Sequence, residues 1–431
     1  VRKNLKKQLK GADGIRAIAC LMVVFTHLSV RLSMNSQSDA ITEVQYLFKT
    51  FPAGVSAFFV LSGFLLSYPF WTAYFENNRI PSLRLFALRR AARIIPGFYL
   101  SLTFCFLMSL VLVPGAGNAV WRYIAGLTFT SAFTWQTLFP TELNGPLWSI
   151  GFEVLCYFLM PIFMIGLFSI KSKHNLTNGL IYWTAALSFV LIVNQLIFIS
   201  CQTDPFRKSW DFGLIGGAKT WWPHYNPIGF FGQYIFGVFS AAITINIGKA
   251  LKSKTSSIIF DIIAIIVTLL LIAFLWYMRH RSPFSWSFQE QPYYFPLFPI
   301  GISLLLCVLP FSRFLGNIFD NRFFKVTALL SFGIYIWHNV ILEMIKYFWM
   351  PMYRHGEMTD LGLWFSVSLV ALILSYAIAS LSWFFVEKPA IAWSHKQAEV
   401  IKVKFLKNRY CDKSHIPISL QIRPDRPSTN T

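Results

Sequence analysis

The chain has 431 residues and a net charge of +20, with 55% hydrophobic, 18% aromatic and only 13% charged residues. A soluble domain carries about 25% charged residues, so a soluble globular protein is excluded, and so is a disordered chain, which needs low hydrophobicity. The six cysteines stand singly, without disulfide, redox or zinc spacing, and no metal site is expected.

A membrane-crossing helix needs about 20 mostly apolar residues. Candidate spans lie at 15–35, 52–74, 92–113, 145–168, 178–200, 227–248, 256–277, 293–311, 326–350 and 362–386. The fold class is therefore all-α: a polytopic membrane protein of about ten transmembrane helices. Pro81, Pro114-Gly115, Pro140, Gly145-Pro146, Pro205, Pro223 and Pro351 punctuate the loops. The basic start followed by an apolar run is read as a retained first helix, because the run is long, contains Arg16 and His27, and lacks a small-residue cleavage site. No internal repeat is evident. Residues 1–390 read as one membrane domain and 391–431 as a basic, partly disordered tail.

With the N-terminus inside, about 28 of the 38 Lys and Arg residues fall on the inner side. Both termini are expected to be cytoplasmic in a multi-pass cell-membrane protein. The net charge is then a topology signal with some attraction to membrane lipid. No basic soluble domain exists to bind nucleic acid.

Ionisable residues within spans carry an insertion cost and need a reason. Arg16 and His27 stand eleven residues apart on the first span. At 100° and 1.5 Å per residue they fall within about 20° of one another and about 16 Å apart along the axis. Arg16 is expected at the cytoplasmic rim and His27 at mid-membrane, where an imidazole suits proton transfer. The second span carries Gly54-x3-Phe58-Phe59-x2-Ser62-Gly63, small residues suited to close packing or ligand entry. The following loop carries Arg89, Arg90 and Arg93, whose guanidinium groups can fork onto phosphate or simply anchor the inner face. Ser149 and Glu153 share a face of the fourth span, and His338 lies in the ninth. Glu343 is expected near the outer surface, and Glu387 is expected to pair with one of the inner arginines. Depth sorts these into a cationic inner vestibule (Arg16, Arg89, Arg90, Arg93, Glu387) and a histidine–carboxylate centre (His27, Glu153, His338). That division suits a membrane enzyme with an anionic donor inside and an acceptor outside. It suits a proton-coupled secondary transporter of a small metabolite equally.

In order along the chain stand Asp13-Gly14-Ile15-Arg16 with His27, the Gly54–Gly63 stretch, Arg89-x3-Arg93 with Pro96, Leu147-Trp148-Ser149-x3-Glu153, Ser331-x3-Tyr335-x-Trp337-His338, and Glu387-Lys388-Pro389. This series resembles the acyltransferase-3 integral membrane O-acyltransferases, which typically O-acetylate bacterial surface polysaccharides. Val154 stands where members often have a second acidic residue. The resemblance implies transfer of an acyl group, most simply acetyl, from cytoplasmic acyl-CoA to a hydroxyl of an extracytoplasmic or lipid-linked glycan. It implies no tightly bound cofactor, with acetyl-CoA as donor substrate. His27, Arg16, Glu153 and His338 are then the expected catalytic group, and Arg89, Arg90, Arg93 and Ser62 the donor-binding group. His27 acts as general base or transient acyl carrier. Trp121, Trp135, Trp221, Trp222, Tyr293 and Tyr294 are candidates for sugar stacking or for an interfacial belt.

Overall fold

The computed structural model describes residues 9–251 and 257–413, with backbone alone for 402–413. Among the described residues nine helices are long and apolar enough to cross a membrane. The principal helices are α1 (Ala12–Ser29), α2 (Gly54–Phe75), α3 (Leu83–Leu112), α4 (Trp148–Ser169), α5 (Leu176–Ser200), α6 (Pro227–Ala250), α7 (Ser257–Met278), α8 (Leu297–Val308), α9 (Arg322–Phe348), α10 (Leu361–Ser382) and α11 (Lys388–Lys413). A π-turn over Trp383–Glu387 joins α10 to α11. The sole extended pairing among these residues is one parallel bridge, Leu32 with Met358.

Polar side chains start several helices by accepting an otherwise orphaned backbone N–H. Asn175 caps Asn178, Asn226 caps Gly229, Asn321 caps Phe324 and Asp360 caps Leu363, at 2.7–2.9 Å. Ser82 does the same for α3. With that cap and no Gly or Pro before Pro96, α3 begins at Leu83, nine residues ahead of the expected span. Arg89, Arg90 and Arg93 therefore lie on a helix and not in a loop. The eighth expected span contracts to the twelve residues of α8. Positive φ at Tyr293 and Tyr294, followed by Pro296, stops the helix from extending backwards. The boundary expected at 390 falls inside α11, which runs on to Lys413. Residues 414–431, and the basic residues Arg2 to Lys7, Lys252 and Lys254, lie outside the described residues.

Helices α1, α2, α6 and α9 form the centre. In an 18-residue apolar stretch of α6 and of α9 about 78% of the residues are buried, against 17% in α7, whose Ile and Leu side chains face outward. The tightest crossing is α2 on α6, where a methyl group on Gly237 would collide with the Val60 carbonyl. Between α3 and α4, residues 128–147 run as mostly irregular backbone against the middle of α9. Asn144 donates to the Ile336 carbonyl at 2.8 Å, Asn339 to the Leu143 carbonyl at 3.1 Å and Tyr335 to the Pro146 carbonyl at 3.0 Å. Non-helical backbone is tolerated at that depth only where protein satisfies it.

Candidate active site

The bundle holds a cavity of about 380 Å³ at the end where α1 and α3 begin. Arg16 enters it from α1, Phe58 and Ser62 from α2, and Arg89, Arg90 and Arg93 from α3. Ser149, Glu153 and Tyr157 come from α4, Tyr335 from α9, and Ser394 and His395 from α11. Glu153 accepts a hydrogen bond from Ser62 at 3.0 Å and another from Tyr157. Arg16 touches Asp13 at 3.5 Å. Among the described residues Arg89, Arg90 and Arg93 have no ion pair and donate no hydrogen bond; Arg93 lies over the Trp383 ring, its guanidinium carbon 5.6 Å from the centroid. The cavity wall thus carries an excess of guanidinium charge without anions to match it.

Glu153 was expected with the histidines and instead belongs to this arginine cavity. Helix α4 descends from the dipping 128–147 segment, so its second turn already sits at the level of Ser62 and not at that of His27. Glu387 is buried but, among the described residues, forms no ion pair with an arginine. It accepts from Ser382 at 3.3 Å, its other oxygen has no partner, and Arg93 is an electrostatic neighbour. The π-turn swings the carboxylate behind α3 and keeps it off the cavity wall.

His27 and His338 form a second polar site beyond Tyr335. Their ring centroids are 5.2 Å apart. His338 is fully buried, and its Nδ1 lies 3.0 Å from the Ile334 carbonyl and 2.8 Å from the Tyr335 carbonyl. Two carbonyl acceptors require Nδ1 to carry the proton, which leaves the Nε2 lone pair free; that atom is buried without a partner. His27 is partly buried and makes no hydrogen bond among the described residues. The Tyr335 ring stands 6.0 Å from His338, and its hydroxyl lies 2.6 Å from the Ser149 hydroxyl. Tyr335 is therefore the partition between the arginine cavity and the imidazole pair.

Three features escaped the sequence. Arg31, one turn past His27, is 1% exposed and donates to Glu343 at 2.8 Å and to the Tyr353 carbonyl at 2.6 Å. Glu343, expected at the surface, is half-buried between Arg31 and Lys346. Tyr157 and His395 also join the cavity; the first was legible as the i+4 neighbour of Glu153. Of the aromatic candidates, Trp222, Tyr293 and Tyr294 are buried in packing and unavailable to a sugar, whereas Trp121 is exposed. Trp221 stacks on Tyr225 at 4.1 Å between centroids, and the ammonium of Lys219 lies 4.8 Å above Trp135.

No solved structure matches this chain. It is 23% identical over 405 residues to "Peptidoglycan O-acetyltransferase OatA" of Listeria monocytogenes, covering 89% of this chain and 56% of that one. It is 23% identical over 419 residues to "Putative peptidoglycan O-acetyltransferase YrhL" of Bacillus subtilis, covering 89% and 55%. A putative O-acetyltransferase of Staphylococcus aureus strain COL is 22% identical over 400 residues, covering 89% and 57%. The chain thus spans a little over half the length of these relatives. Residues 9–380 match the family described as "Acyltransferase domain", which takes in the histidine pair and the arginine cavity apart from its α11 residues. The chain belongs to the acyltransferase-3 family.

Proposed function

We propose that the protein is a membrane O-acyltransferase that moves an acyl group, most simply acetyl, from acetyl-CoA to a hydroxyl of a glycan or glycolipid. One observation carries this reading: a cavity whose four arginines outnumber its one lining carboxylate, Glu153, backs, through Tyr335, onto paired imidazoles. The phosphates of coenzyme A supply the missing anions, and guanidinium forks suit them. Ser62 and Tyr157 hold Glu153 through one of its oxygens, and Arg89, Arg90 and Arg93, which form no ion pair among the described residues, face the donor. Arg16, on the same face of α1 as His27, faces the thioester arm. The excess of Lys and Arg at the arginine end makes that end cytoplasmic in this reading, with the histidine pair toward the opposite face of the cell membrane.

His27 takes the proton of the acceptor hydroxyl. The hydroxyl oxygen bonds to the thioester carbonyl carbon, the C–S bond breaks, and the sulfur receives that proton and leaves as the free thiol of coenzyme A. His338, its tautomer fixed by two carbonyls, offers a permanent acceptor at Nε2 beside His27 and keeps the pair in one protonation pattern. General base catalysis contributes about 10²–10⁴ in rate, and positioning by the arginines adds to it.

The test is His27→Ala in cells, with mass spectrometry of the surface glycan. The expected result is a normal amount of protein in the membrane and no acetyl incorporation; normal acetylation overturns the assignment. Purified protein given labelled acetyl-CoA without acceptor separates two routes: direct transfer leaves the chain unlabelled, and an acyl-histidine relay leaves it labelled. A metabolite carrier, by contrast, shows uptake into proteoliposomes that needs no acyl-CoA.

A further inference from the structure

Six hydroxyl side chains line the arginine cavity. Four of them commit their proton to a fixed acceptor. Ser62 and Tyr157 donate to Glu153, Ser331 donates to the Ala328 carbonyl at 2.9 Å, and Ser394 donates to the Ile391 carbonyl at 2.7 Å. The other two are Ser149 and Tyr335, which are 5% and 6% exposed and stand on the partition beside the imidazole pair.

The oxygens of Ser149 and Tyr335 are 2.6 Å apart, and the Pro146 carbonyl lies 3.0 Å from the Tyr335 hydroxyl and 3.4 Å from that of Ser149. Two protons thus serve three contacts. In one arrangement Tyr335 donates to Pro146 and Ser149 donates to Tyr335, so both protons stay within the wall. In the other Tyr335 donates to Ser149, and the Ser149 proton is left with only the long contact to Pro146, which is weak at that distance. That proton can turn into the cavity. A hydroxyl hydrogen rotates to suit its surroundings, so one arrangement becomes the other without moving a heavy atom. No other hydroxyl of the cavity has a proton to spare.

Acyl transfer builds negative charge on the thioester carbonyl oxygen, and a preorganised hydrogen-bond donor at that oxygen lowers the barrier. We propose that Ser149 is that donor, a catalytic residue, and that Tyr335 is its positioning residue. As the nucleophile bonds to the carbonyl carbon, the π pair of the C=O bond moves to oxygen, and the Ser149 O–H bonds to this oxygen while keeping its proton. The pair returns as the C–S bond breaks, and the sulfur takes the proton held by His27. Tyr335, donating to the Ser149 oxygen, polarises the serine O–H and strengthens it. The position agrees with the chemistry: the Tyr335 ring is 6.0 Å from His338, whose ring is 5.2 Å from His27. A carbonyl held at Ser149 is therefore at the end of the cavity nearest the base. The assignment rests on the acetyl-CoA reading given above. It holds for direct transfer and for an acyl-histidine relay, because both form the same oxyanion.

The full chain is reconstituted in nanodiscs and given acetyl-CoA labelled with carbon-13 at the carbonyl. Calorimetry reads its Kd, and difference infrared spectroscopy reads the carbonyl stretch of the bound molecule. In the wild type that band is expected at lower wavenumber than for free acetyl-CoA in buffer. Ser149→Ala and Tyr335→Phe are each expected to lose the shift with Kd little changed, since the bond is strongest in the transition state. Tyr335→Phe keeps the ring that meets Phe58 edge-on at 5.9 Å, so it decides the matter where Ser149→Ala fails to fold. Ser149→Thr retains a hydroxyl and is expected to retain the shift. In membranes that carry the native acceptor, Ser149→Ala is expected to slow transfer of the label by about 100- to 1,000-fold, the worth of one oxyanion donor. An unshifted band in the wild type with acetyl-CoA bound, or the full shift in both Ser149→Ala and Tyr335→Phe, overturns the assignment and leaves the acetyl-CoA reading standing. The second result is the one a purely structural role gives, because lost packing does not restore a carbonyl bond. Failure of acetyl-CoA to bind the wild type removes that reading and the assignment with it.

Discussion

Replacing Glu343 with Gln strands a buried cation next to the histidine pair. Arg31 is 1% exposed and uses Nη2 for Glu343 and Nη1 for the Tyr353 carbonyl, while its Nε has no partner. Loss of one member of a buried pair costs about 3–5 kcal/mol. A direct estimate agrees: charges about 4 Å apart at an effective dielectric of 20 attract by about 4 kcal/mol. Lys346 also sits on Glu343, so the substitution leaves two cations facing one neutral amide. The strain is expected in the strap of residues 350–358, which closes over the end of α1. There Gly356 donates to the Val30 carbonyl at 2.8 Å, Met358 to the Arg31 carbonyl at 3.1 Å, and Ser33 to the Met358 carbonyl at 2.7 Å. Hydrogen exchange on the detergent-purified protein should show the Gly356 and Met358 amides speeding up by about two to three orders of magnitude in Glu343→Gln. The double substitution Arg31→Met with Glu343→Leu removes both charges and should recover most of the protection. Wild-type exchange in Glu343→Gln would show that Arg31 does not depend on this carboxylate.

Arg93→Gln should raise KM for acetyl-CoA by about 10- to 150-fold, the worth of one charged hydrogen bond, with kcat nearly kept. An equal loss in kcat at unchanged KM would move Arg93 from donor binding to the reacting centre. Gly237→Ala forces α2 and α6 apart at their closest crossing and should cost about 1–3 kcal/mol or more in denaturant unfolding; wild-type stability contradicts that contact. At the cap over α6, burial lowers the pKa of the His224 imidazole, which packs between Phe198 and Phe284. The unfolded chain then binds the extra proton first, so stability should fall as pH drops from 7 through the ordinary histidine range. His224→Gln should flatten that slope in thermal unfolding measured between pH 7 and 5.

The spans were legible because lipid exposure imposes a simple rule: long apolar stretches with charges confined to their flanks. The rule failed where a helix carried charge for a purpose. Arg84, Arg89, Arg90 and Arg93 depress the hydropathy of the first turns of α3, which concealed nine residues of helix that the Ser82 cap secures. It failed again at α8, where aromatic and proline chemistry shortens an apolar run. Spacing on one helix predicted that Arg16 and His27 share a face, and sequence order predicted which arginines would gather. Depth across different helices was less legible. Glu153 was misplaced because α4 starts inside the bundle, and nothing local to residues 113–147 announces that dip. The Arg31–Glu343 pair joins residues 312 apart, and no pattern within either helix points to its partner.

The same dip sets apart the two polar compartments of the bundle. In the partition around Tyr335 four side-chain donors end on backbone oxygens: Ser101 and Asn144 on the Ile336 carbonyl, Asn339 on the Leu143 carbonyl, Tyr335 on the Pro146 carbonyl. Those bonds hold the irregular segment against α9, while the Oδ1 of Asn144 and the Nε1 of Trp337 stay buried without a partner. Polar groups lack partners on either side of the partition as well. Among the described residues Arg89, Arg90 and Arg93 make no hydrogen bond or ion pair, and the Nε2 of His338 is buried without a partner. An unpartnered polar group within a membrane is costly, and the cost is recovered only when something else brings the matching charge or hydrogen bond. The arginines lack acceptors, which phosphates are. His338 Nε2 lacks a donor, which a hydroxyl or a second imidazole N–H is. On the acetyl-CoA reading proposed above, the two deficits answer to the two substrates of an acyl transfer, one on each side of Tyr335.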